Sequence, residues 1–220
     1  MWCIPQPSAE FAERMEDVLD IYKRPYNKQY PVVCFDETTR QLIGETRTPV
    51  PAQKGKPVRY DYEYARNGVA HLLVMFEPLT AKRFVKITES HTQIDFAYCL
   101  QYLAEHLYSE AKKIILVLDN LRVHTLASLY LVFPPEKARA LAQRFEIHFT
   151  PKHGSWLNMA EIEIGVLSRQ CLNLRIPDFN KMDSHVQAWV KNRNEQKQKV
   201  RWHFTTKDAR IKLQHLYPKI

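Results

Sequence analysis

The chain has 220 residues, 45% of them hydrophobic, and a net charge of +8. That is one domain of ordinary size, or one with an appendage, with apolar material enough for a core. No apolar run is long enough to span a membrane and no signal peptide is recognised, so a cytoplasmic protein is expected.

The charge is uneven. Residues 151–220 hold 13 Lys and Arg against 6 Asp and Glu, whereas residues 1–150 hold 19 against 18. A basic last third suggests that this end meets a polyanion. Cys3, Cys34, Cys99 and Cys171 are scattered, with no Cys-x-x-Cys pair. Reduced thiols are expected, and a zinc site is not.

In chain order, residues 9–22 predict a helix with Ser8 as N-cap and Phe11, Met15, Val18, Leu19 and Tyr22 on one stripe. The run from Pro31 to Phe35 predicts a strand that ends in Asp36-Glu37. Side chains alternate along a strand, so only one of these two acids can share a given site. Residues 46–58, rich in Pro and Lys, predict a connecting loop. Asn67-Gly68 lies between two strand-like runs, 59–66 and 69–76, and predicts a hairpin turn. A further turn near 78–82 leads into a strand at 84–88, so Asp36 is followed by an antiparallel meander.

Thr92 with Asp95 predicts a capping box opening a helix that runs to about Tyr108. Next comes Ile114-Ile115-Leu116-Val117-Leu118-Asp119-Asn120, the pattern of a strand buried on both faces that ends in a carboxylate. Asp119 also suits a plain turn cap. Strand, helix, strand implies parallel pairing, and acids at the carboxyl ends of neighbouring parallel strands meet at one edge. A helix at 136–144 and a strand at 145–150 follow. Gly154-Ser155-Trp156-Leu157-Asn158-Met159-Ala160-Glu161-Ile162-Glu163 then turns a loop into a helix with Ser155 as candidate N-cap. Glu161 and Glu163 lie on nearly opposite helix faces, so one can be a ligand while the other is expected to be solvated; periodicity does not choose between them, and both also suit plain first-turn charges. Residues 179–190 and the Thr205/Asp208 capping box predict two closing helices.

Asp36, Asp119 and Glu161 are the oxygen donors that hard divalent cations want. Two such ions roughly 3.5–4 Å apart can activate water and stabilise the leaving oxygen in phosphodiester cleavage.

The order meander, helix, strand-Asp, strand, helix-Glu resembles the ribonuclease-H-like fold of transposases and integrases, an α/β fold with a mixed five-stranded sheet flanked by helices. Cys34-Phe35-Asp36-Glu37, Asp119-Asn120 with His124, the Gly154–Glu161 segment, Trp202-His203-Phe204-Thr205 and Asp208–Leu213 narrow it. Together they resemble bacterial insertion-sequence transposases of the mariner-like superfamily, family six-thirty, over nearly the whole chain. The resemblance implies a DDE triad of Asp36, Asp119 and Glu161. The family's last acid follows Leu-Asn and two further residues, which selects Glu161 over Glu163. It also implies Mg²⁺ (two ions, with Mn²⁺ able to substitute), DNA cleavage and strand transfer, element-end and target DNA as partners, and a homodimer in the bacterial cytoplasm.

Asn120, His124 and Asn158 are expected to shape the site, and Lys191, Arg193, Lys197, Lys199 and Arg201 to contact DNA phosphates. The expected division is an N-terminal helix and linker over 1–30, a catalytic core over 31–175, and a basic helical extension over 176–220. Family members usually carry a helix-turn-helix region ahead of the core, and this chain starts after the place where it is expected. The rival readings are a nuclease of the same fold without strand transfer, and a non-catalytic DNA-binding relic.

Overall fold

The structure, a computed structural model, describes residues 7–218; the start at Met1-Trp2-Cys3, with the Cys3 thiol, lies outside the described residues. Helix α1 spans Ala9–Tyr22, and the Ser8 hydroxyl accepts a hydrogen bond from the Phe11 N–H at its start, as expected. Strands β1 (Val32–Glu45), β2 (Tyr64–Glu77) and β3 (Lys82–Thr88) form the antiparallel meander. Helix α2 (Gln93–Tyr102) opens on the Thr92/Asp95 capping box and continues to Leu107 as a π-helical turn. There follow β4 (Ile114–Leu118), α3 (Leu129–Val132), α4 (Pro135–Ala142), β5 (Phe145–Phe149), α5 (Met159–Gln170), α6 (Phe179–Glu195) and α7 (Thr206–Lys212). The five strands form one mixed sheet in the order β3-β2-β1-β4-β5, with β4 parallel to both neighbours.

Strand alternation builds the two layers. Along β4, Ile114, Leu116 and Leu118 enter a core shared with α2, α3 and α4, while Ile115 and Val117 face α1 and the start of α5. On β2, Leu73 and Met75 join the first layer, whereas Leu72 and Val74 meet Leu167 of α5 and Met182, Val186 and Trp189 of α6. The sheet is therefore covered on both faces, which is why its central strands read as near-continuous apolar runs. Cys34, Cys99 and Cys171 are free and buried. Burial pushes the Cys34 and Cys99 thiols up to about 12, so neither is a nucleophile at neutral pH.

Asn67-Gly68 does not turn the chain. Both residues lie inside β2, whose pairing with β1 steps from Gln41↔Val69 to Ile43↔Arg66. β1 advances two positions while β2 advances three, so the extra residue is taken up as a β-bulge, with Gly68 at φ +104°. The Asn67 amide donates to the Pro177 carbonyl, fixing the bulge against the chain entering α6. The real connection between β1 and β2 is the longer segment 46–63, which is outside both strands.

α6 also closes the sheet's outer edge. The Asn194 side chain accepts from Arg83 N–H and donates to Arg83 C=O, both at 2.9 Å, as a partner strand would. The Gln187 amide donates to Val85 C=O at 3.0 Å. These bonds satisfy edge groups that would otherwise be open to pairing with another chain.

Candidate active site

Cys34 of β1 pairs with Val117 of β4 in parallel register, so Asp36 and Asp119 stand level, two residues further along adjacent strands. Adjacent strands lie roughly 4.8 Å apart, which puts the two carboxylates at one rim of the sheet. Glu161, in the first turn of α5, is brought there by Asn158. The Asn158 amide donates to Phe35 C=O at 2.7 Å and reaches Asp36 Oδ2 at 3.4 Å, while its oxygen accepts from Ala160 N–H as the helix N-cap. One buried side chain thus ties the start of α5 to the end of β1. Asn158, not Ser155, caps this helix; Ser155 opens a single 3₁₀ turn before it.

Asp36 reports the convergence. Its carboxyl is pushed up to about 7, first by burial and then by the charges of Asp119 and Glu161, against the opposing Glu37 N–H bond and His124. Three acids crowded at one rim disfavour their own ionisation. A cation bound among them would remove that repulsion, and the donor set is all oxygen, so the residues fit Mg²⁺ or Mn²⁺. Among the described residues, no three side chains of the His, Cys, Asp or Glu type are already drawn into a closed cage. Glu161 is exposed and Asp119 is half-buried, so both have room to turn inward.

Asp119 is held from behind. His124 Nδ1 lies 2.5 Å from Asp119 Oδ1. A carboxylate only accepts, so the proton is on Nδ1 and His124 donates. The imidazole is buried, edge-on to Phe35 with ring centroids 5.2 Å apart and tilted against Phe96 at 4.9 Å. Its Nε2 faces Glu37 Oε2 at 3.9 Å. Glu37, on the opposite face of β1 from Asp36, thus lies across the imidazole from Asp119 and outside the acid cluster. Asn120 is exposed beside Asp119.

Glu163 was expected to be solvated, and it is not. Its side chain has no exposed surface and lies 2.9 Å from Arg83 Nε and 3.0 Å from Arg193 Nη2. Arg83 is also fully buried, stacks on Phe76 and donates to Gln198 C=O at 2.6 Å. The physical reason is coverage: α6 packs over α5 and β3, so the face of α5 that carries Glu163 is interior. Arg193 is accordingly turned inward, away from the DNA-contact role its place in the basic run suggested. Lys191, Lys197, Lys199 and Arg201 are exposed. Sequence reading missed Arg83 and this ion cluster. The available signal was an arginine and an acid embedded among apolar neighbours, but periodicity cannot pair residues 80 positions apart.

The fold thus brings strand-end and helix-start acids to one rim of the sheet. The profile of the DDE superfamily endonucleases matches residues 31–183, and the chain belongs to that family. Among solved structures it is similar to the Mos1 transposase paired-end complex with left transposon end (14% identity, TM-score 0.58, covering 87% of this chain and 57% of that one). It is also similar to the Mos1 strand transfer complex (14%, 0.56, 89% and 62%) and to the mariner Mos1 paired end complex with Mg (13%, 0.56, 100% and 66%). At these identities the likeness is one of fold, and it is the expected ribonuclease-H-like one. The chain spans about three-fifths of the length of these structures. No curated protein matches it in sequence.

Proposed function

We propose that the chain is the catalytic part of an insertion-sequence transposase, of the mariner-like kind the sequence resembles, that cleaves DNA at an element's ends and joins the freed 3′ hydroxyl to target DNA. The observation that carries the reading is the crowding of Asp36 by Asp119 and Glu161 at the carboxyl ends of two parallel strands. Asp36 and Asp119 would hold two divalent ions between them, with Glu161 completing the shell. Such ions, when bound, supply the activation of the attacking oxygen and the neutralisation of the leaving one. The chain's own residues do the rest. Asn158 fixes the distance between α5 and β1, and His124 sets the rotamer of Asp119. The hydrophobic wall of Phe35 and Phe96 keeps the imidazole in place.

The core over 31–175 performs the chemistry. The extension over 176–220 packs on it and presents Lys191, Lys197, Lys199 and Arg201 to the DNA backbone. Two copies would be needed to hold two element ends. Structures of Mos1 assembled as a paired-end complex and a strand transfer complex support this reading by their fold.

The deciding experiment is nicking of supercoiled plasmid in Mg²⁺, followed by strand transfer with a pre-cut oligonucleotide end. Nicking that depends on Mg²⁺ or Mn²⁺ and transfer of the pre-cut end are expected. Metal-dependent nicking without transfer would reduce the protein to a nuclease, and no nicking at all would remove the catalytic reading. Replacing Lys191, Lys197, Lys199 and Arg201 with Gln should flatten the salt dependence of DNA binding by roughly 0.9 per lost phosphate contact.

A further inference from the structure

Resting on the DNA-cleavage reading, we propose that the surface running from the catalytic acids along the seam of β1 and α5 carries the DNA strand, with Arg40 and Arg169 as its phosphate contacts.

Asp36, Thr38 and Arg40 project from the same face of β1, because the ladder with β2 is regular from Cys34 to Gln41. Four residues of strand place Arg40 roughly 13 Å beyond Asp36. On α5, Glu161, Gly165 and Ser168 share one face, and seven residues of helix place Ser168 roughly 10 Å beyond Glu161. The two elements meet at that distance, where Arg40 Nη2 donates to Ser168 Oγ at 2.5 Å. Arg169 folds back along the helix, and its Nη1 lies 3.5 Å from the position a Cβ on Gly165 would take. Its guanidinium therefore lies one turn from Glu161, between the acids and Arg40.

Neither cation has an acid. Among the described residues neither lies within 4.0 Å of a carboxylate; the other half-buried arginine of which this is true, Arg144, is taken up by the carbonyls of Tyr108, Ser109 and Ala111. Arg40 is half-buried, and its Nε is a buried donor with no hydrogen-bond partner. A guanidinium withdrawn from water without a counter-ion is short of stabilisation, and a phosphodiester offers the fork-shaped acceptor that it lacks.

Gly165 points the same way. A glycine inside a helix costs about 1 kcal/mol relative to alanine. Nothing in the protein requires it, since an added Cβ would meet only the flexible end of Arg169 at ordinary contact distance. What the missing side chain provides is close access to the helix backbone from outside, where a bound polymer would lie. At 3.4 Å per nucleotide along the duplex axis, a contact 10–13 Å from the acids falls roughly three to four nucleotides from the scissile phosphate.

The test measures binding of the full chain to a 30-base-pair duplex oligonucleotide over a KCl series, alongside plasmid nicking in Mg²⁺ and thermal unfolding. Arg40→Gln and Arg169→Gln should each flatten the log-affinity against log-salt slope by roughly 0.9, and the double variant by about twice that. In nicking, KM for DNA should rise several-fold with kcat nearly unchanged, because these contacts are remote from the reacting atoms. Arg40→Lys should restore most of the slope. Gly165→Ala should keep or raise the unfolding temperature while weakening DNA binding, which a purely structural role would not do. Arg169 is exposed, so Arg169→Gln carries the test if Arg40→Gln perturbs folding. A folded double variant with the wild-type slope would overturn the phosphate-contact assignment while leaving the catalytic reading intact. Wild-type protein whose slope depends on both arginines but which never nicks would support the phosphate contacts and defeat the catalytic reading alone.

Discussion

On α5, Glu161 is exposed beside two other acids, and Glu163, two residues on, is sealed between two guanidiniums. The first carboxylate lacks a cation and the second has more cation than it needs. Both belong to the same helix and the same chemical type, so the difference comes from what the fold brings to each face. The rim face receives Asp36 and Asp119 from parallel strands. The inner face receives Arg83 from β3 and Arg193 from α6. The carboxylate with its counter-ions marks where two elements are locked together.

The largest expected effect breaks the rim. Asp119→Asn and Glu161→Gln should each reduce metal-dependent nicking by roughly 10³-fold, the order expected when several kcal/mol of transition-state charge stabilisation are lost. Urea unfolding of both variants should stay within about 0.5 kcal/mol of wild type. Wild-type nicking by either variant would remove that acid from the site.

The mirror experiment concerns the inner face. Glu163→Gln leaves two guanidiniums without their anion and should destabilise the protein by roughly 3–5 kcal/mol. Unfolding curves that place Glu163→Gln and Glu161→Gln at equal stability would erase the contrast between the two faces.

Protonation sharpens the comparison further. Asp36 is pushed up to about 7 from 3.8, so the metal-free fold favours its neutral form. That contribution to stability is full below pH 3.8 and is lost as pH rises through about 7. Relative to Asp36→Asn, the metal-free wild-type protein should therefore lose thermal stability between those limits. Mg²⁺ at neutral pH should restore it by binding the ionised form. Parallel pH profiles for the two proteins would contradict the crowding.

The smallest of these effects should come from His124, which meets the rim acids only through the back of Asp119. His124→Gln should weaken metal affinity by roughly 10–100-fold, read as the Mg²⁺ concentration for half-maximal nicking. An unchanged Mg²⁺ requirement would make the histidine a packing residue.

Much of this arrangement was legible in the residues. An unbroken apolar run ending in Asp119 required a strand covered on both faces, and the two capping boxes marked their helix starts to within a residue. The rim acids were legible because strand ends and a helix start are local features. What sequence could not reveal was set by distant partners. Asn67-Gly68 carries the local preference for a turn, but pairing along the whole length of β1 absorbs it as a bulge. Glu163 and Arg193 read as surface charges because the elements that bury them, β3 and α6, are remote in sequence. Ser155 and Asn158 are both good caps, and only the reach of Asn158 to Phe35 C=O decides between them.

α1 and the end of the chain lie against each other. Ser8 N–H donates to Leu216 C=O at 3.3 Å, Arg210 pairs with Glu16, and Thr206 donates to Asp20. Residues 8 and 216 can therefore be joined by a short Gly/Ser linker, and the chain reopened in the exposed 52–57 segment. A circular permutant of this design should keep both layers of the sheet, because the domain's topology does not depend on which peptide bond is left open.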